Sequence, residues 1–106
     1  MKVKVCKVTD IPDMSMKSFD INGEPVLVAN VGGTFYSISD ICSHAMAYLS
    51  EGELMQKECH VQCPDHGAVF DLKTGEAVAL PAVSPVSTYP ITIEEDHLVI
   101  EMPDQA

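Results

Sequence analysis

The chain has 106 residues, which suits a single domain and leaves little room for a second one. It carries 16 Asp and Glu against six Lys and no Arg, so its formal charge of −10 repels the phosphates of nucleic acids and of anionic membrane surfaces. The longest apolar run, Ala77 to Val83, is far below the roughly 18 residues that a membrane span needs.

The first forty residues have the pattern of short strands separated by turns. Residues 2–7 alternate between apolar and lysine positions, which predicts an edge strand with its lysines facing outward. Asn22-Gly23 is a strong signal for a two-residue hairpin turn, and Pro25 to Val31 is the predicted strand after it. Gly32-Gly33 then turns the chain into a further strand, Thr34 to Ile38.

The second half continues the same pattern. Alternation predicts a strand over Glu58 to Cys63, and a brief strand follows at Val69 to Leu72. Ser87 to Glu94 and His97 to Glu101 are predicted to pair across a two-residue turn, and at most one short helical turn fits between Ala45 and Leu49. So many short strands predict an all-β fold, with antiparallel sheets that form a sandwich or barrel.

Two short segments each combine one Cys with one His. They are Cys42-Ser43-His44 and Cys63-Pro64-Asp65-His66-Gly67, with 18 residues between His44 and Cys63. A structural zinc site usually places two Cys on one arm and two His on the other, whereas here each arm is mixed. Mixed arms suit a centre of two unlike irons, with Cys42 and Cys63 on one and His44 and His66 on the other. This is the ligand set of a Rieske [2Fe-2S] cluster.

With these motifs, the sequence resembles the soluble Rieske-type ferredoxins, most of all the ferredoxin components of multicomponent aromatic ring-hydroxylating dioxygenases. The resemblance runs from about Val3 to Glu101 and includes the run Leu49–Leu54 and the pair Phe70-Asp71. It implies the Rieske fold, with antiparallel sheets and a small cluster-binding subdomain built from two hairpin-like loops. Residues 1–106 would form a single such domain, with its cluster-binding part at about 40–82.

The same resemblance implies a function. The chain would be a one-electron carrier and not an enzyme, taking electrons from an NAD(P)H-dependent flavoprotein reductase and passing them to a terminal oxygenase. Both contacts would be transient, and the chain is expected to be a monomer. Its N-terminus lacks the apolar core of a secretory signal, and its four Cys suit thiols or metal ligands of a reducing compartment, so we expect a cytoplasmic protein.

Two alternatives remain open at this point. One keeps the cluster but makes the chain a Rieske-type small subunit or carrier of another redox system, such as nitrite reduction. The other is a zinc-stabilised interaction module, in which Cys42, His44, Cys63 and His66 hold one zinc ion tetrahedrally. A brown protein with a Rieske-type EPR signal after reduction would exclude the zinc alternative.

Several neighbouring positions allow narrower expectations. High-potential Rieske proteins have Ser and Tyr hydroxyls that donate to the cluster sulfurs, whereas the matching positions here are Ala68 and Phe70. We therefore predict a reduction potential near the low end of the Rieske range, roughly −150 mV. Gly67 is expected to allow close backbone approach to the cluster. Cys59 is expected to be buried on a strand, and His60, on the opposite face, to be exposed.

Overall fold

Three antiparallel sheets make up the part of the chain that the structure describes. The structure is a computed structural model and describes residues 1–43, 47–55, 57–65, 67–80 and 84–103. The strands are β1 (Lys2–Lys7), β2 (Ser15–Ile21), β3 (Glu24–Val31), β4 (Thr34–Ser39), β5 (Glu53–Met55), β6 (His60–Gln62), β7 (Val69–Asp71), β8 (Ala77–Ala79), β9 (Thr88–Tyr89), β10 (Ile91–Glu94) and β11 (His97–Glu101). Short 3₁₀ turns lie at Val8–Asp10 and Leu49–Glu51. The predicted antiparallel all-β architecture is confirmed.

The strand order divides the fold into two parts. We call the first two sheets together the base, and a smaller third sheet forms the other part. One sheet has the order β1-β11-β10 and the second has the order β2-β3-β4-β9. The third sheet, β5-β6-β7-β8, is built from residues that follow the first Cys/His segment, and the second segment connects two of its strands. The predicted lysine-bearing edge strand is confirmed as β1, in which Lys2, Lys4 and Lys7 are exposed.

Strand β3 lies between two hydrophobic cores. Four consecutive residues, Val26 to Ala29, have no exposed surface, although a strand with one solvent face would alternate. Leu27 and Ala29 belong to a core that also contains Cys42, Cys63 and Phe70. Val26 and Val28 face the other way, into a core shared with β11. Because both faces of β3 are covered, this strand joins the base to the sheet that carries the second Cys/His segment.

Two of the hairpins follow the sequence prediction closely. Asn22-Gly23 connects β2 to β3, and Gly32-Gly33 connects β3 to β4. Asn22 and Gly23 both have left-handed φ angles, 53° and 86°, which match the twist of a tight two-residue hairpin. The register follows, with Ile21 opposite Glu24.

The prediction of one long strand over Ser87 to Glu94 is wrong. Pro90 divides the segment, so that β9 pairs with β4 in the second sheet and β10 pairs with β11 in the first. Proline has no N–H to donate to a ladder, and the carbonyl oxygen of Pro90 instead accepts the N–H of Glu101 at 2.9 Å. The chain therefore changes sheets at this residue.

Two smaller predictions also need correction. The strand expected over Glu58 to Cys63 is only β6, because Cys59 has a left-handed φ of 59° and lies in the preceding turn. The helical turn expected between Ala45 and Leu49 begins at Leu49 instead, as the 3₁₀ turn Leu49–Glu51. Residues 45 and 46 of that expectation lie outside the described residues.

Across the described ranges, no helix combines the length and the apolar character that a membrane crossing requires.

Candidate metal centre

The first Cys/His segment lies in a loop with a short antiparallel stem. We call residues 42–47 the first ligand loop. Ile41 forms an antiparallel bridge with Tyr48, and the N–H of Cys42 donates to the carbonyl oxygen of Ala47 at 3.0 Å. The stem is anchored next to β4, whose last residue is Ser39.

The second segment lies in a loop closed in the same way. We call residues 63–68 the second ligand loop. It connects β6 to β7, and the N–H of Cys63 donates to the carbonyl oxygen of Ala68 at 2.6 Å. In both loops the Cys N–H therefore bonds the carbonyl five residues later. Outside the second loop, the Gln62 side-chain amide donates to the carbonyl oxygen of Gly67 at 3.4 Å.

The structure brings the two predicted thiol ligands together. Cys42 and Cys63 are 3% and 2% exposed, neither is in a disulfide, and their sulfurs lie within hydrogen-bonding reach of each other. The N–H of Asp65 donates to the Cys63 Sγ at 3.4 Å. This bond is of the kind that stabilises a sulfur carrying negative charge.

The charge state of this pair tests whether the site suits a metal. Burial raises the pKa of the Cys63 thiol, the Asp65 N–H lowers it, and the neighbouring Cys42 raises it again. The Cys63 thiol, buried beside Cys42, thus resists ionisation unless a cation takes up the charge of its sulfur. A metal centre supplies that cation and binds both as thiolates, with release of their protons. The sulfur pair therefore fits one half of a two-iron cluster.

The other two predicted ligands, His44 and His66, lie outside the described residues. In the sequence they fall within the first and the second ligand loop respectively. Their part in the site remains a prediction.

The expected geometry around Cys59 and His60 is only half right. Cys59 is buried, as expected, and its thiol lies near the hydroxyl of Tyr36. Partial burial raises the pKa of Tyr36, and Cys59 and Asp71 raise it further. His60, expected to be exposed, is half-buried, because β6 pairs with β7 in a register that places Asp71 opposite it. The His60 Nε2 lies 3.9 Å from the Asp71 carboxylate.

Gly67 has a backbone conformation that favours glycine. Its φ is 76°, in the left-handed region, and a β-carbon there would lie 3.4 Å from the Gln62 Nε2. The expected close approach of this residue to a cluster remains a prediction.

The first ligand loop also contacts a third segment of the chain, because the Ser43 hydroxyl donates to the carbonyl oxygen of Ser84 at 2.7 Å.

Sequence reasoning did not single out Asp40. This residue is fully buried two positions before Cys42 and is hydrogen-bonded to Ser50, on the far side of the first ligand loop. No periodicity or motif draws attention to it. Its only signal in the sequence is a charged residue directly after the strand that ends at Ser39.

Comparison with known proteins identifies the family. The sequence model of the Rieske [2Fe-2S] domain matches residues 1–90. The 3-phenylpropionate/cinnamic acid dioxygenase ferredoxin subunit of Shigella flexneri is 43% identical over 104 residues, which cover 97% of this chain and 95% of that protein.

Solved structures agree with this match. The ferredoxin of carbazole 1,9a-dioxygenase from Nocardioides aromaticivorans superposes with a TM-score of 0.91 at 33% identity, covering 94% of this chain and 96% of that one. A chain in a complex of reduced oxygenase and oxidized ferredoxin of carbazole 1,9a-dioxygenase superposes with a TM-score of 0.87 at 30% identity, covering 93% and 91% of the two chains.

These matches confirm the predicted resemblance and favour an iron–sulfur centre over the zinc alternative. They agree with the paired thiols of the two ligand loops, which suit a bound metal centre. The chain belongs to the Rieske [2Fe-2S] domain family and is a ferredoxin, an electron-transfer protein with a Rieske-type cluster and not an enzyme in its own right.

Proposed function

We propose that this chain delivers single electrons to the terminal oxygenase of an aromatic ring-hydroxylating dioxygenase system. The electrons would come from an NAD(P)H-dependent flavoprotein reductase. The cluster would be held by Cys42 and Cys63 on one iron and by His44 and His66 on the other, and it supplies the ability to accept and release one electron. Residues 1–106 would form one domain, with its cluster-binding part at about 40–82.

The observation that carries this proposal is the pairing of two buried thiols at the starts of two similar loops. Cys42 and Cys63 are separated by 20 residues in the sequence, yet their sulfurs are neighbours. Each Cys begins a loop that also contains one His in the sequence. Four such residues suit two irons with unlike ligands, and the burial of the sulfurs excludes water from the thiolate side.

The partner assignment is supported by the relatives. The 43% identical protein of Shigella flexneri is named as the ferredoxin subunit of a 3-phenylpropionate/cinnamic acid dioxygenase, and one structural neighbour belongs to an oxygenase–ferredoxin complex. We propose the corresponding role here, with an aromatic acid or another aromatic compound as the oxygenase substrate. We also propose that the carrier is a monomer and works in the cytoplasm.

The ligand assignment is tested by EPR of the dithionite-reduced protein, together with iron and sulfide analysis. We expect a Rieske-type signal in the wild type, its loss in His44→Ala and Cys42→Ser, and a changed cluster type in His66→Cys. Matched controls are His97→Ala and Cys6→Ser, which alter the same residue types on β11 and β1. A Rieske signal retained in His44→Ala, or lost in His97→Ala, would contradict the assignment.

The carrier role is tested by reconstitution with a purified reductase and a purified dioxygenase oxygenase. Product should form only when all three proteins and NAD(P)H are present. The charge of −10 predicts that the partners present basic surfaces, so the transfer rate should fall as salt rises. A rate independent of ionic strength would contradict electrostatic docking, and oxygenase turnover without this chain would contradict the carrier role.

A further inference from the structure

Asp40 is a buried carboxylate whose polar groups are all hydrogen-bonded. It has no exposed surface. Its Oδ1 accepts the N–H of Ser50 at 2.7 Å, and its Oδ2 accepts the Ser50 hydroxyl at 2.8 Å. Its carbonyl oxygen accepts the N–H of Leu49 at 2.7 Å, and its own N–H donates to the carbonyl oxygen of Pro25 at 3.0 Å.

These bonds connect the base of the fold to both ends of the first ligand loop. Pro25 lies in β3, the strand shared by the two cores, while Asp40 itself leads into the loop through Ile41. Leu49 and Ser50 follow the loop on the other side. The segments on the two sides of the first ligand loop are therefore joined to each other, and to the base, through Asp40.

Asp40 also caps the turn that follows the loop. The 3₁₀ turn Leu49–Glu51 has Tyr48 at its N-cap, and Tyr48 makes no side-chain capping bond. The N–H of Ser50, in the first turn, is instead satisfied by Asp40 from the opposite stem. Because Asp40 lies on the other side of the first ligand loop, its bond to Ser50 fixes the distance between the two segments that flank the loop. A capping residue within the turn would fix only the turn itself.

The choice of a carboxylate at this position has an energetic cost. A buried charge is tolerated only when it is well hydrogen-bonded, and apolar residues of similar size are often equally stabilising. The Ser50 N–H and hydroxyl both donate to the carboxylate, whose two oxygens are good acceptors. A charge on Asp40, which lies two residues before Cys42 in the sequence and has no exposed surface, would oppose the addition of an electron to a cluster held by Cys42.

From these contacts we propose that Asp40 is a positioning residue for the iron–sulfur centre. Acting through Ser50, it holds the first ligand loop in the geometry that binds the cluster, and its charge lowers the reduction potential. This inference rests on the proposed ligand role of Cys42. Hydrogen bonds behind a metal ligand typically change metal affinity by roughly 10- to 100-fold when they are removed.

Three variants separate the positioning role of Asp40 from the effect of its charge on the reduction potential. Asp40→Asn keeps one acceptor for the Ser50 N–H and removes the charge, because the Ser50 hydroxyl can turn and accept from the amide. Ser50→Ala keeps the charge and removes one of the two side-chain bonds. Glu51→Gln is the matched control, since it removes an exposed charge from the same 3₁₀ turn.

The readouts are the EPR spectrum, the reduction potential from a redox titration, and the rate of iron loss to a chelator. We expect Asp40→Asn to have a wild-type spectrum and a more positive potential, and Glu51→Gln to leave the potential nearly unchanged. Ser50→Ala should lose iron roughly tenfold faster than the wild type, with a broadened spectrum.

The results that would overturn the inference are distinct from those that would overturn the ligand assignment. A wild type without a Rieske signal contradicts the ligand set itself. A wild type with that signal, together with an Asp40→Asn potential no higher than that of Glu51→Gln, overturns the charge effect. A Ser50→Ala variant with wild-type iron retention and spectrum overturns the positioning role.

Discussion

Gly52 lies so close to the carbonyl oxygen of Gln62 that a β-carbon at position 52 would overlap that oxygen. The same β-carbon would be 3.1 Å from the Cδ of Pro64, in the second ligand loop. Gly52 has a negative φ of −92°, outside the left-handed region, and the close approach of two backbones is what requires glycine here. The segment after the first ligand loop is thereby packed directly against the start of the second.

This approach predicts that Gly52→Ala is strongly destabilising. The overlapping atom is backbone, which cannot rotate away, so the strand segments must separate at a cost of about 1–3 kcal/mol. The apparent melting temperature of the cluster-loaded protein, followed by far-UV circular dichroism, should fall, and the cluster should be lost sooner on heating. Gly33→Ala is the control, since a β-carbon at Gly33 meets no atom within 4 Å. The destabilisation by Gly33→Ala comes only from the left-handed φ at this position. Equal losses of stability in the two variants would contradict the close-approach argument.

A second prediction concerns the reduction potential. Ala68 and Phe70 have no hydroxyl to offer to the site, and both are fully buried, so water does not reach their side chains. A redox titration followed by EPR should therefore give a potential near the low end of the Rieske range, about −150 mV. A clearly positive potential would contradict the expectation that the missing hydroxyls at positions 68 and 70 keep the potential low.

The same reasoning predicts that a hydroxyl can be added back. Ala68→Ser places a donor in the second ligand loop, and a further hydrogen bond of about 1 kcal/mol corresponds to about 40 mV in a one-electron couple. The potential should rise by about this amount. Ala77→Ser, on strand β8, is the control and should leave the potential unchanged. An Ala68→Ser variant with the wild-type potential would show that this position does not reach the cluster sulfurs.

A third prediction concerns stability at alkaline pH. Burial raises the pKa of Tyr89 above its ordinary value of 10.0, and the nearby Glu24, which accepts the Tyr89 hydroxyl at 3.2 Å, raises it further. The folded state thus holds this proton more tightly than the unfolded chain does. The resulting stabilisation is complete below pH 10 and is lost as the pH rises through the folded-state pKa.

Replacing Tyr89 by Phe isolates this contribution. The variant should lose about 0.5–1.5 kcal/mol at neutral pH, because one hydrogen bond is removed. Above about pH 10 its apparent melting temperature should fall less steeply with rising pH than that of the wild type. Parallel curves for the two proteins over this range would contradict a role for Tyr89, since Cys6, Cys63 and Tyr36 also have raised pKa values and remain in both.

A fourth prediction concerns the turn between β10 and β11. Glu95 and Asp96 both have left-handed φ angles, 51° and 65°, although hairpins of this type favour Asn followed by Gly. Asp96→Gly should stabilise the protein by about 0.5–1 kcal/mol, because glycine adopts this conformation without the steric cost of a β-carbon. The carbonyl oxygen of Asp96, which accepts the N–H of Val8 at 2.9 Å, is retained.

The measurement is again the apparent melting temperature of the cluster-loaded protein. Asp96→Asn is the matched control, because it removes the charge of the acidic turn and keeps the β-carbon. It should stabilise less than Asp96→Gly. If the two variants are equally stable, the gain comes from charge repulsion and the conformational argument is wrong.

Family, cofactor type and most of the strands could be predicted from the sequence, because they depend on properties that are local in the chain. The spacing of Cys and His within each segment indicated a Rieske cluster, and Asn22-Gly23 indicated a hairpin whatever lay around it. Only the tertiary structure decided that the sulfurs of Cys42 and Cys63 are neighbours, that the chain changes sheets at Pro90, and that Asp40 lies buried against Ser50. These relationships join residues that are distant in sequence or belong to different elements, and they are set by which faces of β3 and its neighbours are covered. A linear pattern shows which residues prefer to be buried, but not which other residues will cover them.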